Sequence, residues 1–151
     1  MNHKIELCPC GSGKLFQTCC QNIIANDSAK TAEQLMRSRY SAFVLGDAEY
    51  LLKTWHPDTR PKDFQLGKSR WLGLIIRDAS EDTVSFMAAF HAGNKGMTLE
   101  ETSRFVCLDG HWRYVNGDCS VKPIKRNEAC FCGSQKKYKL CCGKSSSLNQ
   151  E

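Results

Sequence analysis

The apolar positions between residues 31 and 116 keep two different periods, and the change from one to the other divides the middle of the chain. Leu35, Met36, Arg39, Tyr40, Phe43 and Val44 recur near helical spacing and predict one helix with a single apolar stripe. Thr31 is placed to cap it, and Glu33 lies in its first turn, where a carboxylate complements the positive end of the helix dipole. Gly46 ends this helix, and Asp47 opens a second through Tyr50, Leu51 and Leu52 to Trp55, closed by Pro57 and Pro61. From residue 71 the period becomes two. Trp71 to Arg77 is a short apolar run, and Val84, Phe86, Ala88 and Phe90 then alternate with Ser85, Met87, Ala89 and His91. Gly93-Asn94-Lys95-Gly96 reads as a turn, and Leu99, Glu101, Ser103, Phe105 and Cys107 share one face of the next strand. Asp109-Gly110 is a hairpin signal, and Trp112, Tyr114 and Asn116 share a face of the last strand. Helices followed by four antiparallel strands predict an α+β domain in which the helices pack on the sheet.

The flanks are unlike the middle. Gln21 to Lys30 and residues 117 to 129 read as linkers, and the stretch after Gly143 is polar and reads as disordered. Beyond each linker lies a copy of one pattern. Cys8-Pro9-Cys10-Gly11-Ser12-Gly13-Lys14-Leu15-Phe16-Gln17-Thr18-Cys19-Cys20 is answered by Cys130-Phe131-Cys132-Gly133-Ser134-Gln135-Lys136-Lys137-Tyr138-Lys139-Leu140-Cys141-Cys142. Seven of the thirteen positions are identical, and eight of the ten cysteines fall in the two copies. Four soft ligands in a tetrahedron are what a structural zinc site takes, and small units use such a site where they are too short for a core. Cys-x-Cys puts two thiolates on a tight turn that suits Gly11 or Gly133, and the Lys-x-aromatic stretch can form the helical turn that delivers the vicinal pair. The candidate ligands are therefore Cys8, Cys10, Cys19 and Cys20, and Cys130, Cys132, Cys141 and Cys142. The second cysteine of each pair is the weakest of the four, because adjacent helical residues diverge by roughly 100°, and His3 is the alternative donor. Two disulfides per copy are the competing reading. Cys107 and Cys119, outside both copies, read as a small buried residue and a loop thiol.

Charge and compartment sharpen this. Met1 to Leu7 lacks the apolar stretch of a signal peptide, and no run reaches the ~20 apolar residues of a membrane span. The chain reads as cytoplasmic, where thiols stay reduced and thiolate–metal sites are favoured over disulfides. The formal charge is +5. A zinc ion held by four thiolates carries minus two, so two such sites would bring it to +1. The charge is unevenly placed. Residues 122–144 carry seven basic side chains against Glu128, whereas the first twenty residues carry Lys4 and Lys14 against Glu6. Only the second copy is basic, and its Lys136, Lys137 and Lys139 are candidate contacts for a partner, with RNA or an acidic protein face the matching surfaces.

The repeated pattern resembles the SEC-C motif, the zinc-binding segment at the C-terminus of the SecA preprotein translocase motor. Two such motifs around a middle domain resemble the YchJ family. The middle domain carries the likeness too, in Leu35-Met36-Arg37-Ser38-Arg39-Tyr40-Ser41-Ala42-Phe43, Trp55-His56-Pro57, Trp71-Leu72-Gly73-Leu74, Glu101-Thr102-Ser103-Arg104-Phe105 and Trp112-Arg113-Tyr114. The resemblance implies a nuclear-transport-factor-2-like cone, helices packed into a curved antiparallel sheet, between two zinc knuckles. It implies Zn2+ at both knuckles, and a protein partner such as an export chaperone or the ribosome. The second copy departs from the motif at Phe131 and Gln135, where Pro and Gly are usual, with its ligand positions intact. The implied division is 1–28 for the first knuckle and its linker, 29–120 for the cone, and 121–151 for the basic second knuckle and tail.

A curled sheet over helices leaves room for a pocket, and Trp55, His56, Trp71, Glu101, Arg104 and Tyr114 are its candidate residues. A Glu near a His would suit acid–base chemistry, but Glu101 and Arg104 fall on opposite faces of a regular strand. Aromatics in the core and charges at the rim are the alternative, and for Arg37 and Arg39 a solvated face or pairing with local acids competes with an anion site. Three functions compete. A zinc-stabilised, non-enzymatic binding module comes first, followed by an isomerase- or hydratase-like enzyme in the cone. A thiolate redox or metal-handling protein is third, with iron possible at the same sulfurs.

Overall fold

The computed structural model describes residues 6–67, 69–125, 136 and 137. A single 3-10 turn, Phe16–Thr18, leads into α1 (Cys20–Asn26), followed by α2 (Ala32–Leu45) and α3 (Ala48–Lys53). Four strands follow, β1 (Arg70–Ala79), β2 (Thr83–Ala92), β3 (Lys95–Leu108) and β4 (His111–Pro123), as an antiparallel meander in the order β1-β2-β3-β4. The α+β architecture anticipated from the two periods is the one observed.

Local chemistry accounts for the helix ends. The Thr31 side chain accepts from Gln34 N, Asp47 accepts from Tyr50 N, and Gly46 closes α2 at φ +79° in the left-handed region. Such caps satisfy backbone groups the helix cannot satisfy internally. Ser38 Oγ and Tyr50 Oη, 2.7 Å apart, tie α2 to α3. The core lies where α2 meets the sheet, with Leu35 and Val84 fully buried and Phe86, Phe105, Ala88 and Tyr40 around them. Register shifts at Trp71/Gly73, Ile76/Asp78 and Arg104/Phe105 mark bulges, which bend strands and increase twist. The segment after α3 joins the sheet at β4. Tyr114 N donates to Thr54 O and His56 N to Tyr114 O, so residues 54–56 add a short parallel bridge to β4.

Four local expectations are corrected. Gln21 to Lys30 is no linker: α1 occupies most of it, and Ile23 packs on the main core while Ile24 packs on the cysteines and on Tyr50 and Leu51. Two isoleucines in a polar stretch are too few to show a period. Residues 117–123 continue β4 and pair with Met97–Ser103. Pro123 is tolerated there because β4 is an edge strand, which need not donate on its outer side. Val44, counted in the apolar stripe, is 40% exposed, and Ser38, Ser41 and Ala42 are buried on α2. Cys107 and Cys119 are both exposed strand residues.

Candidate metal centre and aromatic cavity

The Sγ atoms of Cys8, Cys10, Cys19 and Cys20 all lie within 4.8 Å of one another. Cys10 and Cys19 are 3.7 Å apart. A tetrahedron of thiolates about 2.3 Å from a central ion has edges of about 3.8 Å, so the donor set is compatible with a metal ion. The backbone explains how a vicinal pair converges. Cys19 is not helical (φ −120°, ψ −110°) but caps α1, whose first residue is Cys20. The break between them removes the divergence that two adjacent helical residues would show. On the other side, Gly11 has φ +81°, and a Cβ there would lie 3.3 Å from Leu74 O. A side chain at residue 11 would strain the turn and crowd β1.

The centre is built into the domain. Cys8, Cys10 and Cys20 are 4%, 0% and 0% exposed. Arg37 of α2 donates through Nη1 to Cys10 O at 2.7 Å, and that nitrogen also lies 3.9 Å from Cys10 Sγ. Its Nε is held by Glu33 at 3.0 Å. Ser41 Oγ lies 3.6 Å from Cys8 Sγ, and Leu74 packs on the group from β1. Further on, Asp27 at the end of α1 takes both terminal nitrogens of Arg113 on β4, at 3.0 and 2.8 Å. Burial raises the Asp27 pKa, but the hydrogen bonds and charge of Arg113, with His111 and Lys53, outweigh it and leave the carboxyl below its ordinary value. The first motif is thus held to the central domain by Arg37, and the helix that follows it by Asp27, which is how the stretch read as a linker is fixed in place.

The thiols divide their protons unequally. Hydrogen bonding from Cys20 holds the Cys10 thiol below the ordinary thiol range against its burial, with Ser12 and Cys8 assisting. Cys20 is pushed above the ordinary thiol range because it donates to Cys10 and because it is buried, and burial raises Cys19 as well. A metal ion binding here must displace protons from Cys19 and Cys20.

The second site is a cavity of about 240 Å³ between α2 and the inner face of the sheet. Met36, Arg39, Tyr40, Phe43, Trp55, Trp71, Phe86, Ala88, Leu99, Glu101, Ser103 and Tyr114 line it. Trp71 is fixed by Tyr40, Phe43 and Phe90, with ring centroids 5.8, 5.7 and 5.1 Å away. Arg39 contradicts the solvated-face reading. It is 4% exposed, its Nη1 donates to Leu51 O and Thr54 Oγ1 at 2.8 and 2.7 Å, and its guanidinium lies over the rings of Trp55 and Tyr114 at 5.1 and 4.7 Å. Burial pushes its pKa down to about 10, which still leaves a cation at neutral pH. Glu101 Oε2 accepts from Ser103 Oγ at 2.8 Å and Tyr114 Oη at 3.2 Å. Burial, and then Glu101, push the Tyr114 hydroxyl well above its ordinary pKa. Glycine at 117 makes room for this carboxylate, since a Cβ there would collide with it.

Of the six pocket candidates from the sequence, Trp55, Trp71, Glu101 and Tyr114 line the cavity. His56 does not. Its Nδ1 accepts from Asp58 N in the turn after α3, so no Glu–His pair is formed with Glu101. Arg104 faces the other way and pairs with Asp118 Oδ2 at 3.0 Å, exposed to solvent. Arg39 was missed as a cavity residue. The signal was present, since an arginine inside an apolar helical stripe can be a buried one. Cys130, Cys132, Cys141, Cys142 and Lys139 lie outside the described residues, as does His3, while Lys136 and Lys137 are exposed. Among the described residues no helix is long and apolar enough to cross a membrane.

A family model described as the middle, NTF2-like domain of YchJ matches residues 31–117, and the SEC-C motif model matches residues 6–22 and 126–144. A UPF0225 protein of Enterobacter sp. (strain 638) is 43% identical over 91% of this chain and 98% of its own length. One from Photorhabdus laumondii is 42% identical over 91% and 99%, and one from Serratia proteamaculans (strain 568) is 40% identical over 92% and 99%. No solved structure matches the chain.

Proposed function

Because the chain belongs to the YchJ (UPF0225) family, with an NTF2-like middle domain between SEC-C motifs, we propose that it is a zinc-binding, non-enzymatic recognition protein of the cytoplasm. In this reading each motif holds one Zn2+ through four thiolates, Cys8, Cys10, Cys19 and Cys20 in the first and Cys130, Cys132, Cys141 and Cys142 in the second. The observation that carries the reading is the first set of sulfurs, gathered within 4.8 Å beneath α2 and β1. Zinc there would act as a staple, because the free energy of metal binding becomes folding free energy. The two copies divide the work. The first is spent on the central domain, and the basic second copy meets the partner, an export chaperone or the ribosome, through Lys136, Lys137 and Lys139. The central cavity holds a small ligand or a peptide side chain.

Elemental analysis of untagged protein purified without added metal, together with a count of reactive thiols, tests the metal. Two zinc ions per chain, with only the exposed Cys107 and Cys119 reacting, is the expected result; iron in place of zinc would change the metal and keep the ligands. No metal with the motif cysteines oxidised would overturn the reading in favour of redox chemistry. The partner assignment is tested by replacing Lys136, Lys137 and Lys139 with Glu. Ribosome co-sedimentation or chaperone capture should be lost at unchanged metal content, and binding that is unaltered in both assays rejects it.

A further inference from the structure

The aromatic cavity contains one buried cation and one carboxylate, and each keeps unspent hydrogen-bonding capacity. Arg39 commits Nη1 to Leu51 O and Thr54 Oγ1, and its other guanidinium nitrogens have no hydrogen-bond partner among the described residues. Glu101 receives both of its donors, Ser103 and Tyr114, on Oε2, and Oε1 has no hydrogen-bond partner among the described residues. Tyr114 joins the two groups, its ring beneath the guanidinium and its hydroxyl on the carboxylate. The remaining wall is mostly aromatic.

This pattern discriminates among ligands. A carboxylate would pair with Arg39 and be repelled by Glu101, whereas an ammonium would meet the reverse, and each would lose its hydration on entry. A hydrocarbon would fit the wall but strand both polar groups away from water. A neutral amide edge suits both, with its carbonyl accepting from Arg39 and its N–H donating to Glu101. Flat rings suit a wall of aromatic faces and edges. An apolar cavity of about 150 Å³ takes up benzene, so about 240 Å³ has room for two fused rings.

We propose that the cavity binds a neutral, planar, one- or two-ring molecule with a lactam-type edge, whose carbonyl faces Arg39 and whose N–H faces Glu101. This rests on the reading of the central domain as a ligand-binding module.

The test uses the full, metal-loaded chain, titrated by calorimetry with carbostyril, N-methylcarbostyril and naphthoate. The indole N–H signals of Trp55 and Trp71 in nitrogen-15 NMR spectra report entry into the cavity. Carbostyril should bind about tenfold more tightly than its N-methyl derivative, which lacks the donor, and than the charged naphthoate, a difference equal to about one charge-assisted hydrogen bond. Glu101→Gln should weaken carbostyril on the order of fivefold while strengthening naphthoate, because it removes the repelling charge. Opposite shifts in one variant cannot come from a loss of folding. Equal affinity for carbostyril and its N-methyl derivative would overturn the assigned ligand class while leaving a cavity that binds. Failure of all three probes to move either indole signal would overturn the class and, with it, the role of the cavity in the proposed function; the metal count is unaffected by that outcome.

Discussion

Arg37 and Arg39 stand two residues apart on α2 and serve different regions. Arg37 reaches back to the cysteine centre, where it donates to Cys10 O, and Arg39 lays its guanidinium over the rings of Trp55 and Tyr114. Two residues advance a helix by about 200°, so one short segment feeds a site on each side. The two regions are built differently. All four sulfurs come from a thirteen-residue stretch whose turn geometry brings them together, and α2 and β1 then cover them. The cavity draws on α2, the bridge at residue 55 and all four strands. A site of local origin can hold itself with a metal ion, whereas a site of distant origin exists only while the domain is folded. The first should respond to chelators and to pH. The second should respond to whatever bends the sheet.

The largest expected effect separates them at once. Cys10→Ser should abolish metal binding at the first motif and lower Tm by about 10 °C, since several kcal/mol of folding free energy goes with a structural metal. Metal analysis and a thermal melt on the same sample measure both. Acid should mimic the substitution. Cys19 and Cys20 hold their protons more tightly than ordinary thiols, and the ion must displace those protons, so affinity falls as pH falls. A titration in which the metal stays bound through acidification would break the assignment.

The next effect belongs to the core. Leu35→Ala should cost about 3 kcal/mol, because Leu35 is fully buried and its loss leaves a hole. Leu99→Phe, on the cavity wall, should cost far less because there is space for the added volume. Denaturant unfolding of both variants compares a packed site with an open one.

Asp27→Asn tests the clamp between α1 and β4 and should cost about 1–2 kcal/mol at neutral pH, the range of a charge-assisted bidentate pair. The sign with pH is fixed. The folded Asp27 has a lowered pKa, so its contribution is full above the unfolded-state value and is lost as pH falls through the folded value. Wild type and variant should therefore converge in acid, and stability measured across the acid range checks it. Arg104→Ala should have the smallest effect, about 0–0.5 kcal/mol, because its pair with Asp118 is solvent-exposed.

How far the sequence could be read follows the same contrast. The cysteine pattern, the caps at Thr31 and Asp47, and the opposed faces of Glu101 and Arg104 depend on residues a few positions apart, and local spacing carries that information. A vicinal pair is awkward only within a continuous helix, whereas the chain starts its helix between the two cysteines. Helix α1 is not legible because Ile23 and Ile24 alone set no period, and residues 117–123 read as linker because Pro123 and the basic residues near it break the strand pattern. Gly117 leaves space for Glu101. The burial of Arg39 and the convergence of Glu101 with Tyr114 depend on how far the sheet curls, which residues far apart in sequence decide together.

The central claim is that the first SEC-C motif is a metal-held part of the middle domain rather than an appendage. Amide hydrogen exchange with and without a chelator tests it most directly. Removal of the ion should raise exchange in residues 8–20, and also in α1, in α2 around Arg37 and Ser41, and in β1 around Leu74. Exchange that rises in residues 8–20 alone, with α1, α2 and β1 as protected as before, would contradict it.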